Sequence, residues 1–339
     1  MNQSEYCLDQ MAKLMAIHSP TGMTGEASAY VMNELTRLGF TPRMMRKGTV
    51  ICELGGEGHG LLMSAHLDTL GAVVRSVKPN GRLRYTKLGG WNDNAIENEN
   101  VTIVTRSGKQ FSGTVQTVRA SRHVWGDTSS DQRDDNFMEV VPDELTSSAA
   151  ETEALGISAG DMICFDPRFT VTESGFIKSR FLDDKASASI LLTLAKDVAD
   201  GAVKLNRKTV IAFTVYEEIG HGASSLCSED VEDMLALDMG CVGDDLTCKE
   251  TNVSICAKDA AGPYDWSFTN ELIRNAKNQA LPYVVDIYPR YSSDTATALK
   301  AGLDARFALC GPGVFASHGY ERTHIRGVMA TLALAESIL

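Results

Sequence analysis

The sequence lacks the paired cysteines of a thiolate metal site. Its 339 residues include eight cysteines, and none stands in a C-x-x-C pair. Zinc fingers and thioredoxin-like redox centres therefore have no support. Several cysteines lie in apolar runs, such as 50–52 and 162–165, where a reduced cysteine acts as a small apolar side chain.

Positive charge and long apolar runs are also scarce. The chain has 32 Lys and Arg against 44 Asp and Glu, a net charge of −12 with no basic stripe, so binding to nucleic acid is not expected. No apolar run reaches the roughly 18 to 20 residues that span a bilayer. The first residues, 1–5, have neither the basic start nor the apolar segment of an export signal. We therefore expect a cytoplasmic protein that does not bind membranes.

Motifs of several common enzyme classes are missing as well. There is no G-x-S-x-G, no P-loop and no G-x-G-x-x-G, so serine hydrolase and nucleotide-binding functions are unsupported. Apolar residues make up 43% of the chain, and Pro is sparse, with nine residues. This composition predicts a globular protein of one or two domains.

Helical and strand patterns alternate in two separated parts of the chain. Helices are predicted at 5–17, 25–38, 184–199, 266–279, 294–301 and 320–338, and strands at 41–45, 49–54, 60–66, 208–215, 233–238, 253–257, 283–287 and 304–309. Between these parts, from about 72, short β-like pieces alternate with polar turns. The pattern predicts an α/β sheet that is interrupted by a small β-rich module.

A possible metal ligand stands at the end of the strand predicted at 60–66. His66 closes the apolar run, and Asp68 follows two positions later. In an extended chain this spacing puts both side chains on one side. A ligating histidine usually gives its other N–H to a partner such as a carboxylate, so the pair suits a metal-bound imidazole that the Asp68 carboxylate holds in place. Alone, H-x-D also describes an ordinary surface pair.

Adjacent acids occur at two further places. Asp183 and Asp184 stand before a predicted helix, and Glu217 and Glu218 follow a strand rich in β-branched residues. One aspartate is enough to cap a helix, which leaves the other free to bridge two cations. Of the glutamates, one could bind a metal and the other could deprotonate a metal-bound water.

The remaining candidates come as pairs of alternatives. Asp238 ends the predicted strand at 233–238, and the nearby Asp244 competes for the same role from an apparent turn. His318 precedes the predicted last helix, whereas His324 would lie within it. A helical histidine is more often packed or at the surface, which favours His318.

Four predicted strands or helix starts end in Asp, Glu or His. In open α/β sheets, ligands bind outside the carboxyl ends of the strands, so the candidates are expected to meet there. Mixed carboxylate and imidazole ligands suit Zn, Co or Mn.

The motif set resembles the tetrahedral (TET-type) aminopeptidases, the glutamyl and deblocking aminopeptidase group of di-metal peptidases. The resemblance covers nearly the whole chain, and its most specific part is the Glu-Glu-Ile-Gly-x-x-Gly-Ala pattern that ends at Ala223. The sequence departs from the family pattern at Lys185, where Arg is usual, and at 293–295, where Ser-Asp-Thr replaces Gly-Thr-Asp. Departures at 239–240 and after His318 keep the alternatives named above open.

The resemblance implies two divalent metal ions per subunit, Zn or Co. It implies five metal ligands: His66, Asp183, Glu218, Asp238 and His318. Asp183 would bridge the two ions, Asp68 would orient His66, and Glu217 would be the general base.

The resemblance also implies a fold and an assembly. The expected fold is a mixed sheet sandwiched by helices, of the zinc-peptidase type, with an inserted small domain that resembles a β-barrel. The catalytic domain would comprise 1–71 and 173–339. The insertion, 72–172, would drive dimerisation, and dimers would assemble into a hollow dodecamer.

The expected function is removal of N-terminal residues from peptides by a metal-activated water. One alternative keeps the site but changes the substrate, giving a deacylase or carboxypeptidase that acts on N-acyl amino acids. The other is a catalytically inactive binding homologue. The intact acid pairs weigh against that alternative, since a decayed site would be expected to lose one of them.

Overall fold

The helices of the chain are short, apart from one that lies almost wholly in the interior. A computed structural model describes residues 1–339. The helices are α1 Gln3–Met15, α2 Gly25–Arg37, α3 Arg122–Trp125, α4 Ala149–Ala154, α5 Leu182–Ala199, α6 Trp266–Asn278, α7 Asp294–Ala301 and α8 Ile325–Glu336. No helix is long and apolar enough to cross a membrane.

The strands belong to one large sheet and one closed barrel. They are β1 Arg43–Met44, β2 Val50–Gly55, β3 Leu61–His66, β4 Gly71–Val77, β5 Leu83–Leu88, β6 Asn100–Val104, β7 Gln110–Thr117, β8 Met138–Pro142, β9 Met162–Phe165, β10 Thr170–Val171, β11 Phe176–Ser179, β12 Thr209–Thr214, β13 Asp233–Leu237, β14 Gly240–Val242, β15 Val253–Lys258, β16 Tyr283–Ile287, β17 Arg306–Phe315 and β18 Glu321–His324.

Four neighbouring strands at the centre of the large sheet run parallel. Their order is β12, β3, β13 and β17. Every residue of β3, β12 and β13 is buried, as expected of parallel strands that are covered on both faces. Helix α5, nearly all of it buried, packs against β3 and against α1 and α8. The predicted mixed α/β sheet with helices is therefore confirmed, and the carboxyl ends of four strands share one edge.

The chain divides into two compact units. One comprises Met1–Thr69 and Arg168–Leu339, and the other comprises Leu70–Pro167. The second unit starts and ends a few residues earlier than the predicted insertion, 72–172. Its end is earlier because β10 pairs with β11 in the large sheet, so both strands belong to the first unit. Within this unit six strands close into a barrel in the order β4, β5, β8, β7, β6, β9, which confirms the expected barrel-like domain. Its interior includes Trp91, whose ring meets Phe165 edge-on with centroids 5.2 Å apart.

The predicted start of the last helix is wrong. The helix begins at Ile325 instead of residue 320, because Glu321–His324 forms β18 and pairs antiparallel with β11. His324 is therefore not a helical residue. Its Nδ1 accepts a hydrogen bond from the Arg326 N–H at 3.0 Å and caps the helix instead.

Gly311 lets two of the central strands approach closely. A Cβ on this residue of β17 would lie 1.8 Å from the carbonyl oxygen of Asp238, which directly follows β13. We expect Gly311→Ala to lower the free energy of unfolding by about 3 kcal/mol, the upper end of the usual overpacking cost. Gly243→Ala is the control, because a Cβ there meets no atom within 4 Å. Urea denaturation of both variants measures the difference, and equal stability would contradict this account.

Candidate metal centre

The polar candidates meet at the carboxyl edge of the four parallel strands. His66 is the last residue of β3, and Asp238 directly follows β13. Glu217 and Glu218 lie in a 3-10 turn shortly after β12. His318 follows β17. Each strand thus delivers one part of the site.

Asp183 lies between two imidazoles. It precedes the regular part of α5, where its own backbone and that of Asp184 are not helical. Its Oδ1 is 3.0 Å from Nε2 of His66, and its Oδ2 is 3.3 Å from Nε2 of His318. The same His318 nitrogen is 3.6 Å from Oε2 of Glu218. The two oxygens of one carboxylate therefore face different histidines.

Potential ligand atoms form two overlapping groups. His66, Asp183 and Glu218 each offer one atom within 4.8 Å of the others. His66 forms a second such group with Asp184 and Asp238. The site thus has enough oxygen and nitrogen donors in reach for more than one cation.

Asp68 is buried beneath the turn that carries the two glutamates. Its Oδ1 accepts the backbone N–H of Glu217 at 3.0 Å, and its Oδ2 accepts the hydroxyl of Thr21 at 2.6 Å. Nδ1 of His66 is 2.9 Å from the Asp68 carbonyl oxygen but 3.8 Å from its carboxylate. The hydrogen bond that orients the imidazole therefore goes to the main chain, and the carboxylate fixes the glutamate turn.

Glu217 is placed to handle protons next to these ligands. Its Oε2 lies 3.8 Å from Nε2 of His66, and its side chain is 13% exposed. Of the two glutamates it is the more accessible, since the Glu218 side chain is only 2% exposed. Glu217 is therefore in reach of the ligand cluster and of solvent.

The carboxylates of the site repel one another. Burial, followed by the charge of Asp183, raises the pKa of Asp238 to about 7. Burial also raises the pKa of Glu217, with Asp238 adding to the effect, and the pKa of Glu218, with Asp183 adding. This crowding calls for positive charge.

Protonation of the imidazoles offsets part of this repulsion. Burial alone would lower the pKa of His66, but its hydrogen bond to Asp183 and the charge of Glu217 raise it well above its usual value. Burial would raise the pKa of Asp183, yet the hydrogen bonds from His318 and His66 hold it below its ordinary value. Without a metal ion, bound protons on groups such as His66 and Asp238 therefore reduce the negative charge of the cluster. A metal ion would supply the positive charge directly.

Two buried oxygens show that the donor set fits metal ions. Oδ1 of Asp184 and Oε1 of Glu218 have no hydrogen-bond partner, although buried polar atoms are normally paired. Asp184 and Glu218 are both members of the groups described above. A divalent cation would provide the missing partner, and mixed carboxylate and imidazole ligands are those that Zn and Co accept.

The alternative ligands lie elsewhere. Asp244 is exposed in the segment after β14, whereas Asp238 is buried in the cluster. Nε2 of His324 is 2.9 Å from the carbonyl oxygen of Ser174. Asp238 belongs to one of the ligand groups, and Nε2 of His318 lies 3.3 Å from Asp183 and 3.6 Å from Glu218, so the geometry favours Asp238 and His318.

Three further buried acids were not among the site residues predicted from the sequence. Asp184 was noted only as the neighbour of Asp183 in an acid pair, and its Oδ2 accepts the His66 N–H at 3.1 Å. Asp294, at the start of α7, accepts the hydroxyl of Thr214. Glu321 accepts two main-chain N–H groups of the site. The sequence offered a signal for each of them: Asp184 adjoins Asp183, and Asp294 and Glu321 lie in segments that depart from the family pattern.

Comparison with known proteins identifies the class of enzyme. Residues 48–334 match the M42 glutamyl aminopeptidase family. A putative aminopeptidase, YhfE of Bacillus subtilis (strain 168), is 40% identical over 329 residues, which are 96% of this chain and 95% of that protein. The chain therefore belongs to the M42 glutamyl aminopeptidase family, as its motifs indicated, and is a hydrolase of peptide bonds.

Solved structures share the fold. A TET aminopeptidase from the marine sediment archaeon Thaumarchaeota archaeon SCGC AB-539-E09 has a TM-score of 0.90 and 18% identity, over 99% of this chain and 96% of that one. The Pyrococcus horikoshii TET1 peptidase has a TM-score of 0.86 and 21% identity, over 98% of each chain. At these identities the likeness establishes the fold alone.

The raised pKa of Asp238 gives the metal-free protein a pH-dependent stability. An unfolded aspartate titrates near 3.9 and this one at about 7, so between these values the folded chain binds more protons and loses stability as pH rises. His66 acts in the same direction above its ordinary pKa, and Asp183 titrates below this window. We expect chelator-treated protein to melt at a lower temperature at pH 8 than at pH 5.5.

Asp238→Asn should reduce that difference, because the amide does not titrate. Calorimetry of both proteins at the two pH values is the measurement. An undiminished difference in the variant would rule out Asp238 as a main source of the pH dependence.

Proposed function

We propose that this aminopeptidase is metal-dependent and holds two divalent cations, Zn or Co, per subunit. The observation that carries the proposal is the meeting of His66, Asp183, Glu218, Asp238 and His318 at one edge of the sheet, where two buried oxygens lack partners. The M42 family match supports the same reading.

The geometry supports Asp183 as the bridging ligand. Its two oxygens face His66 and His318 separately. His318 and Glu218 adjoin one of these oxygens, so they would complete one cation site. His66 and Asp238 would serve the other site, together with the remaining oxygen of Asp183. Asp184 lies next to this second group and could contribute its unpartnered oxygen.

The protein's own residues supply the proton transfers and the geometry of the reaction. Bound cations would polarise the scissile carbonyl and lower the pKa of water towards neutrality. Glu217 accepts a proton from the attacking water and later gives it to the leaving amine. Burial and neighbouring acids raise the pKa of Glu217, which favours this return of the proton. Asp68 holds the Glu217 backbone so that the carboxylate stays in reach of the site.

Replacement of the proposed base tests this mechanism. Glu217→Gln keeps the shape of the side chain but removes the proton acceptor, so we expect kcat on an aminoacyl anilide to fall by about 10²- to 10⁴-fold. Metal content, measured by elemental analysis, should stay near that of the unaltered protein. Glu57→Gln, the same change at an exposed position, should leave kcat unchanged. Full activity of Glu217→Gln would refute the assignment of the base.

Substrate choice separates the proposal from its enzymatic alternative. N-acyl amino acids assayed beside aminoacyl anilides should be poor substrates. Cleavage of the acylated compounds alone would instead favour a deacylase or carboxypeptidase. Failure of the chain to bind Zn or Co, with no activity on either class, would favour the inactive homologue.

We also propose that the chain self-associates through the unit Leu70–Pro167. This unit exposes several large apolar side chains, among them Val124, Trp125 and Phe137, which could be covered in an assembly. The Pyrococcus horikoshii TET1 peptidase is described as assembling into a tetrahedron or a large octahedral shell. By analogy, we propose that dimers form through this unit and assemble into a dodecamer.

Light scattering after gel filtration tests this assembly. Twelve chains of 36.7 kDa would give a particle of about 440 kDa. The double change Trp125→Ser and Phe137→Ser should yield monomers, because it removes apolar contact area. Trp266→Ser, in the other unit, should leave dimers intact. A monomeric unaltered protein would exclude the proposal.

A further inference from the structure

Glu321 is a buried carboxylate beside the proposed metal centre, and both of its oxygens accept main-chain hydrogen bonds. It begins β18, where it lies opposite Ser179 of β11 in an antiparallel register. Its side chain is almost fully buried, with 1% of the residue exposed. The pairing of β11 with β18 brings Glu321 next to the segment that leads from β11 to Asp183. The pairing of the two strands therefore places the Glu321 carboxylate next to the backbone of Asp183, the proposed bridging ligand.

Each oxygen of Glu321 accepts one main-chain hydrogen bond from a proposed metal ligand. The N–H of Asp183 donates to Oε2 at 3.0 Å, and the N–H of His318 donates to Oε1 at 3.0 Å. These two ligands are 135 positions apart in the sequence. The carboxylate thus ties together the two backbones whose side chains approach to 3.3 Å.

His318 needs such a tie more than the other ligands do. Its side chain is 39% exposed, while those of His66, Asp183 and Glu218 are at most 8% exposed. Its backbone has a φ of +62°, and Ala316 has a φ of +58°, both in the left-handed region that costs energy for residues other than glycine. Burial therefore does little to hold this loop. The bond from the His318 N–H to Glu321 is one contact that does.

We propose that Glu321 is a positioning residue that fixes His318 and Asp183 relative to each other, and so sets the affinity of the cation site that His318 completes. The inference rests on the proposed metal centre. It implies unequal effects, because His318 would serve only the cation site that it shares with Glu218. Asp183 would serve both sites, but its side chain is also held by burial, with 8% exposed. Loss of the tie should weaken one cation site far more than the other.

Glu321→Gln is the variant that tests this role. Glutamine has the same shape, but only one of its terminal atoms accepts a hydrogen bond, so one of the two N–H donors loses its partner. Metal-free protein would be titrated with Co²⁺ and followed by calorimetry and visible absorption. We expect two bound ions in the unaltered protein. In the variant, one site should weaken by about 10- to 100-fold, as for other residues that orient metal ligands, and the other should change little.

Asp161→Asn is a matched control. The Asp161 carboxylate is fully buried and also accepts one main-chain N–H on each oxygen, from Arg106 at 3.0 Å and Ser158 at 2.7 Å. It lies in the barrel unit and is not part of the metal centre. This variant should lose stability like Glu321→Gln yet bind both Co²⁺ ions like the unaltered protein. Equal weakening of Co²⁺ binding in both variants would reduce Glu321 to a purely structural role and overturn the inference.

The outcomes separate this inference from the proposed function. If the unaltered protein binds no Co²⁺, the proposed metal centre fails. If it binds two ions and Glu321→Gln binds them equally well, only the positioning role fails. Should Glu321→Gln not fold, Glu321→Asp takes its place, because it keeps the charge but shortens the reach to the two N–H groups. In a His318→Ala background, removing the Glu321 carboxylate should then change Co²⁺ affinity by less than about twofold, and a larger change would contradict an action through His318.

Discussion

Mutual repulsion among buried carboxylates is the constraint on which the rest of this site depends. Asp183, Glu217, Glu218 and Asp238 lie close enough to raise one another's cost of ionisation. A chain without a compensating charge would gain stability by replacing such acids with apolar residues. Their presence at the edge of a well-packed sheet is therefore best explained by a ligand that supplies positive charge. The imidazoles reduce the repulsion but leave two buried oxygens without partners.

Holding these acids together requires rigid support, and most of it comes from the main chain. Asp68 and Glu321 each accept backbone N–H groups of proposed catalytic or ligand residues, and Asp184 accepts the N–H of His66. Asp68 and Glu321 are not among the proposed ligands, whereas Asp184 supports the His66 backbone through one oxygen and could offer the other to a cation. All three convert the fixed geometry of strands and turns into fixed positions for the ligands and for Glu217. The site therefore has an inner set of ligands and an outer set of carboxylates that hold their backbones.

The parts of this arrangement that depend on local sequence could be predicted. Apolar strands that end in His66 or Asp238 have a clear pattern, and parallel pairing brings such ends together. The choice of Asp238 over Asp244 depends on burial, which the structure shows and the sequence does not. The role of Glu321 and the start of the last helix could not be predicted, because both follow from the pairing of β18 with β11 across about 140 residues. A four-residue strand carries too little pattern to reveal a distant partner.

Insertions and deletions are expected to have very different effects on the two sides of His66, the last residue of β3. Inserting or deleting one residue within β3 would turn its alternate side chains to the opposite face and carry the imidazole away from its partners. Only three residues separate His66 from Leu70, where the barrel unit begins. From there to Pro167 the chain forms a separate closed barrel that shares no strand with the large sheet. We therefore expect changes in the length of the barrel unit to be tolerated better than a one-residue change in β3, although only three residues separate the two.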